Sequence, residues 1–542
     1  MPPTLTFPGV YIQEIPSGVR TIAGVSTSDT AFVDWFRRGP LNQAVRITSF
    51  ADFQRSFGGL DPRSESSYAI QQYYLNGGSI AWVVRVAGGT PPAAAQIVLQ
   101  GGSPPQSVIR VEAANPGAWG NGVQVAVTPG AAAGQFNLVL REVAMAGGAP
   151  VLTSSGTPQV LTTETHRNLT MTRTDRRYAV RAVNADSLLA RLVDVSSVSP
   201  PGPGNPPTMT PLTSRGDVPE SAFQALTGGT DGNPPDSAAL RGDADQKTGI
   251  YALDRIDPFI FNILCLPAAA NLDAPSGNLD TPNLRAVVSE AEVYCESKRA
   301  FLLVDVPSFV NTQDEMNTWM ATNEGIRHPN AAVYFPRLAI PDPLDENRPR
   351  DVAPGGTVAG VYARTDAARG VWKAPAGTDA SLRNATLALR LTDLENGALN
   401  PLGINALRNF AIFGNISWGA RTLEGADQQA SEWKYVPVRR TALFIETSLY
   451  QGLKWVVFEP NDEPLWAQIR LNVGAFLQNL FRQGAFQGKT PAEAYFVKCD
   501  KETTTQYDID RGVVNILVGF APLKPAEFVV IQIQQIAGQV QA

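Results

Sequence analysis

KYVPVRRTALFIETSLYQGLKWVVFEPNDEPLW, Lys434 to Trp466, opens the stretch that decides the fold. It leads into a helical pattern, then a strand pattern at Val513 to Ala521 and another at Phe528 to Gln534. In the last of these Val529, Ile531 and Ile533 alternate with Val530, Gln532 and Gln534, the period of a half-buried strand. Chain ends are usually frayed and polar. This one is apolar and strand-forming almost to Ala542, so it calls for a partner.

The opposite end has the same character. FPGVYIQEI, Phe7 to Ile15, is a short strand pattern carrying Val10, Tyr11, Ile12 and Ile15, bounded by Pro8 and Pro16. Its main-chain groups need partners, and prolines at both borders suit a strand at a sheet margin. Two pairings are open. The termini pair within their own molecule, or they are donated to neighbouring copies by main-chain augmentation.

Working inward from Lys434, the pattern from Pro464 to Arg482 places Trp466, Ile469, Val473, Phe476, Leu477 and Leu480 on one stripe. Gln468, Arg470, Asn472, Asn479 and Arg482 lie elsewhere, which makes an amphipathic helix. The stripe is expected to pack on its own sheet, leaving a polar face for a partner.

Upstream, strands and helices alternate: a strand at Phe259 to Leu266, a helix at Leu284 to Lys298 and a strand at Phe301 to Val306. A helix opened by Thr312 with Glu315 as its capping box follows, then a strand at Ala332 to Ile340. This order points to an α/β layer with a largely parallel sheet. Near the start, Thr30 to Trp35 and Ile80 to Val86 read as strands. Between them a short helix is capped by Ser49 and ended by Gly58 and Gly59, and a second runs from Glu65 to Asn76 and stops at Gly77. Residues 91–248 differ in texture, with crowded glycine, proline and small polar residues, short β-like runs, and a PPGPGNPP loop at Pro200 to Pro207. They read as an inserted, mostly β domain.

The 542 residues suffice for about three or four domains. Apolar residues make up 44% and charged residues 17%, an ordinary globular composition, and the net charge of −6 argues against a general nucleic-acid binder. No apolar run approaches the ~20 residues that span a bilayer, and the first residues do not read as a secretory signal. Cys265, Cys295 and Cys499 read as buried free thiols of a protein folded in a reducing cytoplasm.

Candidate chemistry is sparse. GAFQGKT, Gly484 to Thr490, is one residue short of a phosphate-binding loop and follows a helix instead of a strand. Thr490, Pro491 and Glu493 read better as an N-cap, a first helical residue and the close of a capping box. His166 and His328 have no neighbouring ligands at metal spacing and read as surface or loop residues. Asp500, Glu502, Asp508 and Asp510 read as a solvated loop cluster, without calcium-loop spacing. No cofactor and no enzymatic activity is expected.

Several stretches resemble the sheath proteins of contractile tails, found in tailed phages, phage-tail-like bacteriocins and extracellular contractile injection systems. They are FPGVYIQEI, GVYARTDAARGVWKAPAG (Gly360 to Gly377), NPLGINALR (Asn400 to Arg408), WGARTL (Trp418 to Leu423) and most of the chain from Lys434 onward. NPGAWGNGVQVAV (Asn115 to Val127) also has this look. The resemblance implies an α/β core interrupted by an outward-facing inserted domain. The expected division is an N-terminal arm at 1–25, a first part of the core at 26–90, the insertion at 91–248 and the α/β core at 249–430. A C-terminal domain at 431–522 and a strand arm at 523–542 complete it.

The resemblance also implies copies in stacked hexameric rings around an inner tube, attached to baseplate and terminal cap proteins, assembled in the bacterial cytoplasm, with neither nucleic acid nor membrane as partner. The sheath shortens on triggering and drives the tube through a target envelope. Arm residues Val10, Tyr11, Ile12, Ile15, Phe528, Val529, Ile531 and Ile533 would then complete a sheet whose receiving strand holds Val513, Val514, Ile516 and Val518. Gly18, Gly24, Pro522 and Pro525 would serve as hinges, and Arg470 and Arg482 would face the tube. A static surface or adhesin protein and a nucleotide-dependent motor remain the alternatives.

Overall fold

The computed structural model describes residues 20–196 and 205–532. The N-terminal strand pattern with Val10, Tyr11, Ile12 and Ile15, the linker residue Gly18, and Ile533 at the other end lie outside them.

An eight-stranded sheet forms the body. Its strands are β1 (Thr30–Asp34), β2 (Ala44–Ile47), β3 (Ala81–Arg85), β4 (Ile263–Cys265), β5 (Phe301–Val304), β6 (Ala331–Phe335), β7 (Ile404–Phe410) and β8 (Gly414–Ser417). They lie in the order β2-β3-β1-β4-β5-β6-β7-β8. Pairings from β3 to β7 are parallel, and β2 and β8 close the two margins antiparallel. The strands read as continuous apolar runs because both faces are covered. Ala31, Val33, Leu264, Leu302, Val304 and Val333 point into one core, while Phe32, Ile263, Cys265, Leu303 and Tyr334 point into the other.

Helices cover each face. Helix α1 (Phe50–Phe57) is capped by the Ser49 side chain, which accepts from the Asp52 N–H, and α2 (Glu65–Asn76) is capped by Ser64. Both end at glycines in the left-handed region, Gly58 at φ 94° and Gly77 at φ 118°. Helix α3 (Pro282–Lys298) and α4 (Gln313–Thr322), the latter with its Thr312–Glu315 capping box complete, line the first core. Helix α5 (Gly355–Arg369) joins α1 and α2 on the second. It crosses α2 at close range because its first turns are small: a methyl on Gly360 would stand 2.6 Å from the Tyr73 carbonyl oxygen.

Between β3 and β4 the chain departs to form strands at Gln96–Gly101, Gln106–Ala113, Val123–Pro129, Phe136–Val143, Val160–Leu169 and Ala190–Asp194. Val111, Val125, Leu138 and Leu192 belong to their separate core. A helix at Ala179–Asp186 also packs there, on Ala179 and Val183, and the small-residue texture of the segment hid it. The neck is polar. Buried Arg85 donates to the Gly39 and Pro116 carbonyls, and Asp231 accepts from Arg63 and from the Ala118 N–H. The NPGAW stretch therefore closes the joint between insertion and body.

Four strand expectations need correction. The run at Phe259 to Leu266 is strand only over Ile263–Cys265, because Phe259 is exposed and Asn262 turns its side chain to the Asp29 N–H. Ala332 to Ile340 is two strands in different sheets. The break falls at Pro336–Arg337, where Arg337 turns inward to pair with Glu65 and Asp351 at 2.5 Å each. Val513 to Ala521 and Phe528 to Gln534 are the others, treated below.

The C-terminal region opens with α6 (Val436–Gly452) and α7 (Glu463–Arg482), the latter capped by Asp462. A two-stranded sheet of β9 (Tyr495–Lys498) and β10 (Leu517–Phe520) follows. The α7 stripe packs as expected, with Trp466, Ile469, Val473, Phe476, Leu477 and Leu480 buried around Cys499 and Phe486. Helix α6 serves two cores, since Val436 and Leu443 lie in the body and Ile445 lies in the C-terminal cluster. Arg440 on α6 and Asp366 on α5 form a buried bidentate pair at 2.6 and 3.0 Å, and Arg440 also donates to the Thr27 carbonyl. Body, C-terminal domain and N-terminal linker are joined at that point.

Candidate assembly interface

Strands β9 and β10 pair antiparallel from Tyr495–Phe520 to Lys498–Leu517, and no third strand joins them among the described residues. The Ala521 N–H donates to the Ala494 carbonyl at 2.8 Å. Counting from there, Phe496–Gly519 and Lys498–Leu517 occupy hydrogen-bonded sites, and the main-chain groups of Val497 and Val518 turn outward. Both margins thus offer donors and acceptors. Of the expected receiving residues, only Val518 lies in the strand. Val513, Val514 and Ile516 precede it, beyond a turn at Gly512 with φ 71°. Side chains hold them instead: Asn461 donates to the Val513 carbonyl at 2.9 Å, and Thr504 exchanges hydrogen bonds with the main chain of Asn515.

Phe528, Val529, Val530 and Ile531 form no strand in the single chain and are 74–83% exposed. Four consecutive large apolar side chains in water are costly to a lone molecule. The segment before them is not loose. Pro522 bridges to Phe486, and the Gln487 N–H donates to the Ala521 carbonyl. Five residues on, Glu527 meets Arg421, which is 1% exposed, in a bidentate pair: Nε to Oε1 at 2.6 Å and Nη2 to Oε2 at 2.7 Å. Asn400 and Tyr435 also donate to Glu527, and Asp427 accepts from Arg421 at 2.9 Å. Burial pushes the Glu527 carboxyl up, but the bonds from Arg421 and Asn400 outweigh it and hold the group below its usual range. Pro522 and Pro525 therefore lie between two fastened points, the Phe486–Gln487 pairing and the Glu527 clamp.

The N-terminal linker is also seated. The Arg20 N–H donates to Asn472 Oδ1 and the Val25 N–H to Ser448 Oγ, while Ile22 is buried in the C-terminal cluster. A methyl on Gly24 would stand 2.9 Å from Phe444 Cζ, so this glycine permits close approach as the linker crosses α6.

The sequence motifs converge here. A cleft of about 740 Å³ is lined by Trp372, Lys373 and Ala374 of GVYARTDAARGVWKAPAG, Trp418 of WGARTL, Tyr435, and the tail residues Leu523 to Glu527 and Val529. Arg421, also of WGARTL, and Asn400 of NPLGINALR form its clamp on Glu527. Sequence reading found these motifs but not their joint purpose, because none is complete without a tail more than 100 residues away.

Other candidates resolve locally. Arg470 bonds the Cys499 carbonyl and donates to Glu463 at 2.6 Å, so it is engaged within its own domain, whereas Arg482 stands at the last turn of α7. In GAFQGKT the Lys489 N–H, which would face a phosphate, donates to Glu493 Oε2 at 2.8 Å. Thr490 makes no side-chain cap, so the expected box is half formed. The acidic cluster is structured as well as solvated: Asp508 completes a capping box with Thr505, and Asp500 accepts from the Glu502 and Thr503 N–H groups. His166 sits in a strand of the insertion with only 13% of its side chain exposed, not on a surface or loop, whereas His328 lies in a loop as expected, where its ring accepts the Asn330 N–H. The three cysteines are buried and free.

This fold is that of contractile sheath proteins. It superposes on the sheath of an extracellular contractile injection system in its contracted state with a TM-score of 0.55, at 21% identity over 98% of each chain. Residues 428–536 match the family model described as the phage tail sheath C-terminal domain, which bears out the resemblance read from the motifs. A tail sheath protein of Vibrio phage KVP40 is 29% identical over 185 residues, 34% of this chain but only 26% of the phage protein. A putative prophage major tail sheath protein of Pseudomonas aeruginosa is 24% identical over 320 residues, covering 57% of this chain and 72% of that one.

Proposed function

We propose that the chain is the sheath subunit of a contractile particle, polymerising as stacked hexameric rings around an inner tube and anchored to a baseplate. The observation that carries this reading is the pairing of opposites in one domain. A two-stranded sheet with open margins stands near an exposed apolar tail that has no strand to join. Strand donation between copies satisfies both, and main-chain bonds of that kind survive changes in the tilt of the globular bodies. The terminal arms act as the joints, and contraction is a passage of packed bodies from one arrangement to another of lower energy. Arg482 at the end of α7 is the better candidate for tube contact, since Arg470 already braces Cys499.

The test is truncation. Removing the chain after Glu527 keeps the Arg421 clamp, whereas a cut at Pro525 would strand a buried guanidinium without its partner. The shorter protein should stay folded and monomeric and form no sheath on tubes in negative-stain micrographs. Sheaths of normal length from this truncation would refute strand donation by the tail.

A further inference from the structure

We propose that the turn Val457–Pro460 of one copy is a knob that enters the cleft under the C-terminal tail of the next copy. The contact rests on the self-assembly reading above and is separate from strand donation.

The knob is Phe458. Its side chain is fully exposed, at 103% of the reference, and its φ of 70° lies in the left-handed region that a bulky residue rarely adopts. Such backbone persists only where the surroundings over-determine it. Here the Glu459 N–H donates to the Val456 carbonyl at 3.2 Å. Asn461 donates to the Val513 carbonyl and accepts from Trp466 Nε1, both at 2.9 Å. Val457 beside it is 62% exposed. The fold thus holds an aromatic ring away from its own surface, where the single molecule gains nothing from it.

The cleft has the matching chemistry. Exposed Glu459, Asp462 and Glu463 follow the ring, while the cleft joins Trp372, Trp418 and Tyr435 to Arg369, Lys373 and Lys524. The Lys373 ammonium is met by the Ala374 and Ala376 carbonyls, and among the described residues Arg369 pairs with the exposed Asp379 alone, at 3.5 Å. The cleft's own carboxylate, Glu527, is engaged by Arg421. A cationic, aromatic hollow suits an aromatic anchor flanked by carboxylates.

Position settles which copy supplies the knob. Phe458 lies five residues before the first residue of α7, and the cleft includes Gln483 and Gly484 just beyond its last. Twenty residues of helix rise about 30 Å. A copy cannot fill its own cleft, but copies in line each give a knob and receive one. Head-to-tail contacts of this kind generate rings or helical filaments.

Disulfide trapping tests it, because the native cysteines are buried. Oxidising assembled particles of the full-length F458C/A374C variant should give a ladder of dimers, trimers and higher species on a non-reducing gel, with no ladder from either single variant. Glu459→Lys should cut the assembled fraction at least tenfold, and adding Lys524→Glu should restore it. Polymers that assemble without a ladder would overturn the knob contact alone. Dimers from F458C by itself would also overturn it, as would an A374C thiol that the chain's own tail shields from alkylation in the monomer. A wild-type chain that never polymerises on tubes would sink both this contact and the function it rests on.

Discussion

Glu527→Gln should release the C-terminal tail from the body while leaving the rest of the fold intact. The wild-type carboxylate accepts four hydrogen bonds, two of them from an Arg421 side chain that is 1% exposed. Hydrogen bonds to charged groups contribute about 1.5–3 kcal/mol each, and removing one partner of a buried pair costs about 3–5 kcal/mol. Glutamine keeps one acceptor, and Asp427 still offsets part of the arginine's charge, so the net loss should be about 2–4 kcal/mol. At about 1.4 kcal/mol per tenfold change, docking of the tail weakens about 30- to 1,000-fold. Hydrogen exchange read by mass spectrometry would show this as faster exchange across residues 519–529, with α6 and α7 unchanged. The pH response follows from the depressed Glu527 carboxyl. Its contribution is complete above the ordinary carboxylate range and is lost as pH falls through the lower folded value. Acid should therefore loosen the wild-type tail and change the variant little. Equal exchange in the two proteins, or loosening spread evenly over the C-terminal domain, would refute the clamp.

Other outcomes follow from single side chains. Glu292 is buried on α3 without a charge partner among the described residues, and burial raises its carboxyl to about 9. The group is neutral in the fold but ionised when unfolded near neutral pH, so its stabilisation is full below about pH 4.5 and drains away up to about pH 9. Glu292→Gln should gain on the order of 3 kcal/mol over wild type between pH 5 and pH 8, read as urea midpoints; parallel midpoints would count against it. Gly360→Val should lower stability by about 1–3 kcal/mol by forcing α5 from α2, and an unchanged melting temperature would show the crossing to be slack. Arg482→Glu should uncouple sheath from tube without affecting the monomer's melting temperature, whereas Arg470→Glu should lower that temperature through the lost Cys499 contact. The reverse ranking in thermal melts and tube-binding assays would put the tube contact elsewhere.

Local signals in the chain hold at most positions where one residue's chemistry suffices, Thr490, which makes no side-chain cap, being an exception. Ser49, Gly58 and Gly77 bound their helices, and Thr312 with Glu315 closes its box, because capping is settled within a turn. The α7 stripe was legible for the same reason, since its period shows which face is buried. Expectations failed where a distant residue overrode local preference. Val513 to Ile516 has β character but is claimed by Asn461 and Thr504, and the Ala332–Ile340 run is split where Arg337 turns in toward Glu65. The Arg421–Glu527 clamp was invisible because neither residue is unusual in its own neighbourhood. The short strand β2 was missed because its half-exposed AVRI pattern resembles loop as much as margin.

Helix α6 has its first half in the body's core and its second in that of the C-terminal domain, with Arg440 bolted to Asp366 between them. A rod shared in this way leaves no seam on which one copy could flex. Under the sheath function proposed above, a change in the particle's length would then be taken up between copies, with each subunit moving as one block.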